Sequence, residues 1–172
     1  TVNCTGNITF GGTASAARLT FTGAGTLNLG GNLGTGGALA ASTGTVNCNG
    51  SSVQTVGGYT YNNLTVNNAA GVTLAAPATI SGLLTMTSGT LDMANTNLSV
   101  GSLTGSGNLT HSSGTAGART LTIGSDNTSP AAYSGVISNG TATSVAVTKN
   151  GTGTLILSGN NSYTGLTTIS AG

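Results

Sequence analysis

Charge is what this sequence has least of. Of 172 residues, five carry a formal charge at neutral pH, Arg18, Arg119, Lys149, Asp92 and Asp126, and the one histidine is His111. Ordinary soluble domains are about a quarter charged. So small a fraction, 3%, excludes electrostatic binding of nucleic acid, acidic or basic tails, and carboxylate cages for hard metal ions. No run approaches the ~18 apolar residues of a membrane helix. No charged, apolar, small-residue leader opens the chain, which begins at Thr1 rather than Met and so reads as processed or as a segment of something longer.

Helix formers are also scarce. Lys, Glu, Gln and Arg number four in all, whereas Gly, which costs about 1 kcal/mol in a helix interior, and Thr, Ser and Asn, which are mediocre there, dominate. These last four make up 100 of the 172 residues. What is apolar sits in short alternating runs such as Thr26-Leu27-Asn28-Leu29, Asn63-Leu64-Thr65-Val66 and Arg119-Thr120-Leu121-Thr122-Ile123, separated by Gly-Gly, Asn-Gly and Ser-Gly. That is the period-two pattern of strands between turns.

The strands repeat. Thr1-Val2-Asn3-Cys4-Thr5-Gly6 recurs as Thr45-Val46-Asn47-Cys48-Asn49-Gly50, and Gly89-Thr90-Leu91-Asp92-Met93 follows Gly44-Thr45-Val46-Asn47-Cys48 at an offset of 45. A half-repeat, Gly25-Thr26-Leu27-Asn28-Leu29-Gly30, falls between them. Self-similarity at this period indicates a solenoid, whose turns bury their apolar faces only by stacking. The expectation is an all-β, parallel β-solenoid of about 7–8 coils without substantial α-helix. Residues 1–172 form a single β-solenoid segment, with 1–44, 45–89 and 90–132 as approximate repeats and 133–172 as a further strand repeat. One inward ladder is expected to hold Val2, Leu27, Val46, Leu74, Leu91, Leu121 and Leu155, with Cys4, Leu29, Cys48, Met93, Ile123 and Leu157 two residues on. A β-sandwich or up-and-down barrel is the competing architecture.

At the C-terminal end, Val147-Thr148-Lys149-Asn150-Gly151-Thr152-Gly153-Thr154-Leu155-Ile156-Leu157-Ser158-Gly159-Asn160-Asn161-Ser162-Tyr163-Thr164-Gly165, continuing to Gly172, resembles the autotransporter-associated β-strand repeat. The resemblance implies a right-handed parallel β-helix in a secreted or surface-displayed bacterial protein, structural or adhesive. It implies no catalytic residues. Within the motif, Leu155 and Leu157 are expected to point to one side and Ile156 to the other, with Tyr163 packed against the next coil.

Residues that could carry chemistry are few. Cys4 and Cys48 are repeat equivalents; if two coils separate them on one ladder they stand roughly 9–10 Å apart, beyond the ~7 Å reach of a disulfide. They read as buried thiols, against a bridge within or between chains. Two cysteines and His111 do not make a structural zinc site. A paired-carboxylate hydrolase would require the coils to bring Asp92 and Asp126 together, but Asp92 reads as an outward residue between Leu91 and Met93, and Asp126 as part of a turn. His111 falls at a strand position whose repeat equivalents are Val66 and Phe21, without an identified orienting partner for a triad. Gly23-Ala24-Gly25 and Gly105-Ser106-Gly107 lack the Gly-Lys-Ser/Thr of a phosphate loop and read as corners. Ten Asn-x-Ser/Thr triplets begin at Asn3, Asn7, Asn49, Asn63, Asn97, Asn108, Asn127, Asn139, Asn150 and Asn160; they permit glycosylation, or place Asn and Thr together on an outer face without it. Thr-x-Thr pairs raise ice binding, but their irregular sequence spacing argues against one regular face.

No catalytic, cofactor or metal residue is therefore assigned, and an enzyme is not expected. The expected role is that of an extracellular stalk, fibre or adhesin body. Its partners would be further repeats or copies joined end to end, with glycans or cell surfaces as the alternative, and neither nucleic acid nor a membrane span.

Overall fold

Thr, Val, Ile and Leu at alternate positions suit a pleated strand with one side buried, and among the described residues the short runs between glycines build sixteen of them. The computed structural model describes residues 1–11, 18–94, 96–111 and 117–172, and among these there is no helix. In chain order the strands are β1 (Val2–Cys4), β2 (Arg18–Thr20), β3 (Thr26–Leu29), β4 (Ala38–Ala40), β5 (Thr45–Cys48), β6 (Gln54–Val56), β7 (Thr60–Tyr61), β8 (Asn63–Asn67), β9 (Val72–Leu74), β10 (Ala78–Ser88), β11 (Thr90–Asp92), β12 (Leu98–Gly105), β13 (Asn108–Thr110), β14 (Ala118–Ile123), β15 (Ser144–Lys149) and β16 (Thr167–Ile169). The pairings between them are parallel, and the stack is a β-solenoid of about seven turns.

Each turn visits three faces in a fixed order. The first face holds β1, β3, β5, β8 and the later halves of β10 and β12, with inward rungs Val2, Leu27, Val46, Leu64, Leu84 and Leu103 in register. The second holds β6, β9, β11 and β13, and isolated bridges extend it from Ile8 and Leu33 at one end to Ile137 at the other. The third holds β2 and β4, then β7, the early halves of β10 and β12, and β14, β15 and β16. β10 and β12 run round a corner, with a register shift between Ile80 and Leu83, so two faces belong to one ten-stranded sheet.

Stacking Leu, Ile and Val rungs fills the interior: Leu29, Leu64, Ile80, Leu84, Leu91, Leu98, Leu109 and Leu121 have no exposure. Tyr133 enters the first-face column by bridging to Gly105. A side chain there is precluded: Gly105 has φ +108°, and a Cβ would lie 2.1 Å from the Met86 carbonyl oxygen. Tyr133 donates its phenolic hydrogen to the Gly107 carbonyl at 2.7 Å.

The expected ladder is corrected in its middle. Val2, Leu27 and Val46 share a column, as do Cys4, Leu29 and Cys48, but the next rungs are Leu64 and Val66. Leu74 pairs with Val56 and Leu91 with Val72 and Leu109 on the second face, while Leu121 pairs with Leu98 and Val147 on the third. All three faces require the same alternation, so self-similarity in sequence reports the pattern without saying which face carries it. The Leu155 and Leu157 expectation holds: both are half-buried, Ile156 is exposed, and Leu157 bridges to Tyr133.

Candidate functional site

The corners between faces are where polar side chains act. A β-rung leaves backbone groups unpaired as the chain turns, and asparagine meets them from the neighbouring turn. Asn7 Oδ1 accepts from Asn32 N at 2.8 Å, Asn32 from Thr55 N at 2.8 Å, Asn63 from Leu83 N at 2.9 Å and Asn97 from Thr120 N at 2.9 Å. Asn108 accepts from Val136 N at 3.0 Å, Asn127 from Thr152 N at 2.9 Å and Asn139 from Thr164 N at 3.1 Å. In all seven the acceptor lies on the earlier turn and the donor on the later one; Asn161, accepting from Ile137 N, runs the other way.

These clamps explain most Asn-x-Ser/Thr triplets. In Asn7-Ile8-Thr9, Asn63-Leu64-Thr65, Asn97-Leu98-Ser99 and Asn108-Leu109-Thr110 the asparagine holds the corner, the apolar residue turns inward and the hydroxyl faces out. Asn127 and Asn139 are clamps as well, and Asn3 belongs to an amide ladder in which Asn28 donates to Asn3 at 2.7 Å and Asn47 to Asn28 at 2.8 Å. Among the described residues, Asn49, Asn150 and Asn160 make no side-chain hydrogen bond.

Outward residues line up along the axis. On the third face Thr60, Thr79, Ser99, Thr122, Thr148 and Thr168 stand in consecutive register. None of these six hydroxyls bonds within the chain. Of the Thr-x-Thr pairs only Thr120/Thr122 reaches this row, through Thr122, so the row is not built from those pairs; its register is set by the strands, and loops absorb the unequal turn lengths.

The residues singled out for chemistry are dispersed. Asp92 is half-buried between Leu91 and Met93, with Thr73 and Thr110 as register neighbours, and its Oδ1 accepts from Ala94 N. Asp126 lies in the turn after β14, accepting from Ser102 Oγ at 2.7 Å and from Thr128 N and Oγ1 at 3.0 Å. The two carboxylates thus belong to different faces. Cys4 and Cys48 are free thiols with Leu29 between them, and burial pushes the Cys48 thiol up to about 12. His111 is fully buried just beyond β13, and its Nε2 accepts from Arg119 Nε at 3.2 Å. Burial first, and the Arg119 charge second, hold its pKa below the ordinary value, with Asp92 acting in the opposite sense. No cluster of three His, Cys, Asp or Glu able to hold a metal occurs among the described residues.

Three buried polar residues were missed in the sequence. Gln54 donates to the Leu29 carbonyl at 2.8 Å and accepts from Gly50 N and Asn68 Nδ2; Asn68 in turn donates to the Ser52 carbonyl. Lys149 occupies an inward column between Ile123 and Ile169, and its ammonium donates to the carbonyls of Asn150, Gly151 and Ala171. No spacing motif announces them, because their partners, backbone groups of their own and neighbouring turns and one another, come within reach only in the folded stack.

Among the described residues, two of the hollows open to solvent lie toward the β1 end. One of about 340 Å³ beside β1 is the end of the apolar interior, lined by Val2, Leu19, Phe21 and Leu27. The other, about 480 Å³, is a polar trough along Asn3, Thr5, Asn28, Asn49 and Ser51. Residues 147–172 match the passenger-associated-transport-repeat family. Searches of curated proteins and of solved structures gave no significant match.

Proposed function

We propose that this chain is a non-catalytic, load-bearing segment of a secreted or surface-displayed bacterial protein, acting as the shaft of a stalk, fibre or adhesin. The observation that carries this reading is the seating of the passenger repeat. Residues 147–172 are the closing turns of the same stack, with Val147 in register with Leu121 on one side and Thr167 on the other, and Leu157 bridged to Tyr133. A passenger-type β-solenoid of this kind resists bending because every turn is tied to the next by backbone bonds, apolar rungs and asparagine clamps.

Antibody raised against the chain tests the location. Labelling of intact source cells that is lost on brief external proteolysis supports surface display. Signal obtained only after lysis contradicts it.

The third-face row of unengaged hydroxyls favours a second, adhesive reading, in which many weak neutral contacts hold a glycan or cell surface. Saturable binding on a glycan array that weakens when Thr122 and Thr148 become valine supports it. An array without signal counts against it.

A further inference from the structure

His111 is the one imidazole of the chain, and it lies inward on the second face. It follows Thr110 as Met93 follows Asp92 one turn earlier, so it continues an apolar column. Its Nε2 accepts the Arg119 Nε hydrogen, and its buried Nδ1 has no partner. A guanidinium has donors only, so this contact requires a neutral imidazole with its proton on Nδ1.

The rung that His111 ends also carries the next turn. Thr141 N donates to the His111 carbonyl at 2.7 Å, Ser138 N to the Leu109 carbonyl at 3.0 Å, and Ser138 Oγ to Thr110 Oγ1 at 3.0 Å. The charged groups facing the ring are Asp92 from β11 and Arg119 from β14; Arg119 is further anchored through Nη1 to the Ala118 carbonyl. Residues 138–141 face it with hydroxyls and backbone. Lys149 and Asp126 are bound at other corners, and Arg18 lies on β2.

We propose that His111 and Arg119 form an acid-sensitive latch between the end of β13 and the start of β14. Protonation of the ring sets an N–H against a group that can only donate, and a cation against a cation. The two strand ends then part, releasing the bonds that tie residues 138–141 to β13 while the turns on the β1 side stay closed. The folded imidazole titrates below the unfolded value of about 6.5. Stability from the neutral ring is therefore complete above that value and is lost as pH falls from it toward the folded pKa.

Amide hydrogen exchange at pH 7.5 and pH 5.0, corrected for intrinsic exchange, tests this. Peptides covering 107–111 and 136–142 are expected to lose up to about tenfold in protection for each pH unit between about 6.5 and the folded pKa, levelling off below it, and those covering 63–88 to stay unchanged. In His111→Met, which suits the column beneath Met93, the pH dependence of the same peptides should vanish. Unchanged wild-type protection, or equal dependence in His111→Met, overturns the latch. Should that variant fail to fold, the wild type decides alone: it has a single histidine, and an NMR titration midpoint at or above 6.5 rejects the proposal.

Discussion

Cys4 and Cys48 occupy one inward column but meet different surroundings. Cys48 is fully buried with its pKa pushed up to about 12, whereas Cys4 is half-buried on β1 with its sulfur 3.3 Å from the Gly6 carbonyl. Reactivity follows the exposed thiolate. At pH 8 one equivalent of a thiol reagent should therefore react quickly, mapped to Cys4, and the second only on unfolding; two rapid equivalents would contradict the burial. The repeat equivalence of the cysteines was legible in sequence because both sit on the first face. His111 was legible only as an apolar-type position, since its contact with Arg119 joins the end of one strand to the start of another on a different face. Gln54, Asn68 and Lys149 gave no signal, because their partners are backbone groups of their own and neighbouring turns and, for Gln54 and Asn68, each other.

At the scale of the element, strands and corners divide the work. Alternation decided that β3, β5, β8 and β14 exist and which side of each is buried. It could not place Leu74, Leu91 and Leu121 on the right faces, since a face is defined by the corner before it and corners vary in length. Asparagine corners are where a substitution should tell most. Asn139 accepts from Val145 N and Thr164 N and donates to Thr164 Oγ1. Asn139→Ala should cost about 1–3 kcal/mol through the amides left unpaired, seen as faster exchange over β15 and residues 164–169. Asn160→Ala, at an exposed position without a side-chain bond, should leave the denaturation midpoint unchanged. Equal effects of the two would show that the clamps hold nothing.

For the molecule as a whole, scarcity of charge is a condition of stacking. Rungs stand about 4.8 Å apart, so a charged outward position repeated on the next turn is repulsive. The strand-borne charges avoid this: Arg18 pairs with Ala38, Asp92 with Thr73 and Thr110, Arg119 with Val145, and Lys149 with Ile123 and Ile169. Thr122→Asp and Thr148→Asp, each tolerated singly, should together lose about 1 kcal/mol beyond their sum, an excess that shrinks in high salt. An additive pair, or one indifferent to salt, would mean that the rungs are not adjacent.

The stacked register itself can be measured by placing spin labels at Thr60→Cys and Thr168→Cys in a Cys4→Val background. These positions end the third-face row five rungs apart, so their Cα separation should be about 24 Å at ~4.8 Å per rung. Moving the first label to Thr79→Cys should shorten it by one rung. A distance that does not fall by about one rung, or a broad distribution at both pairs, would contradict a continuous parallel solenoid.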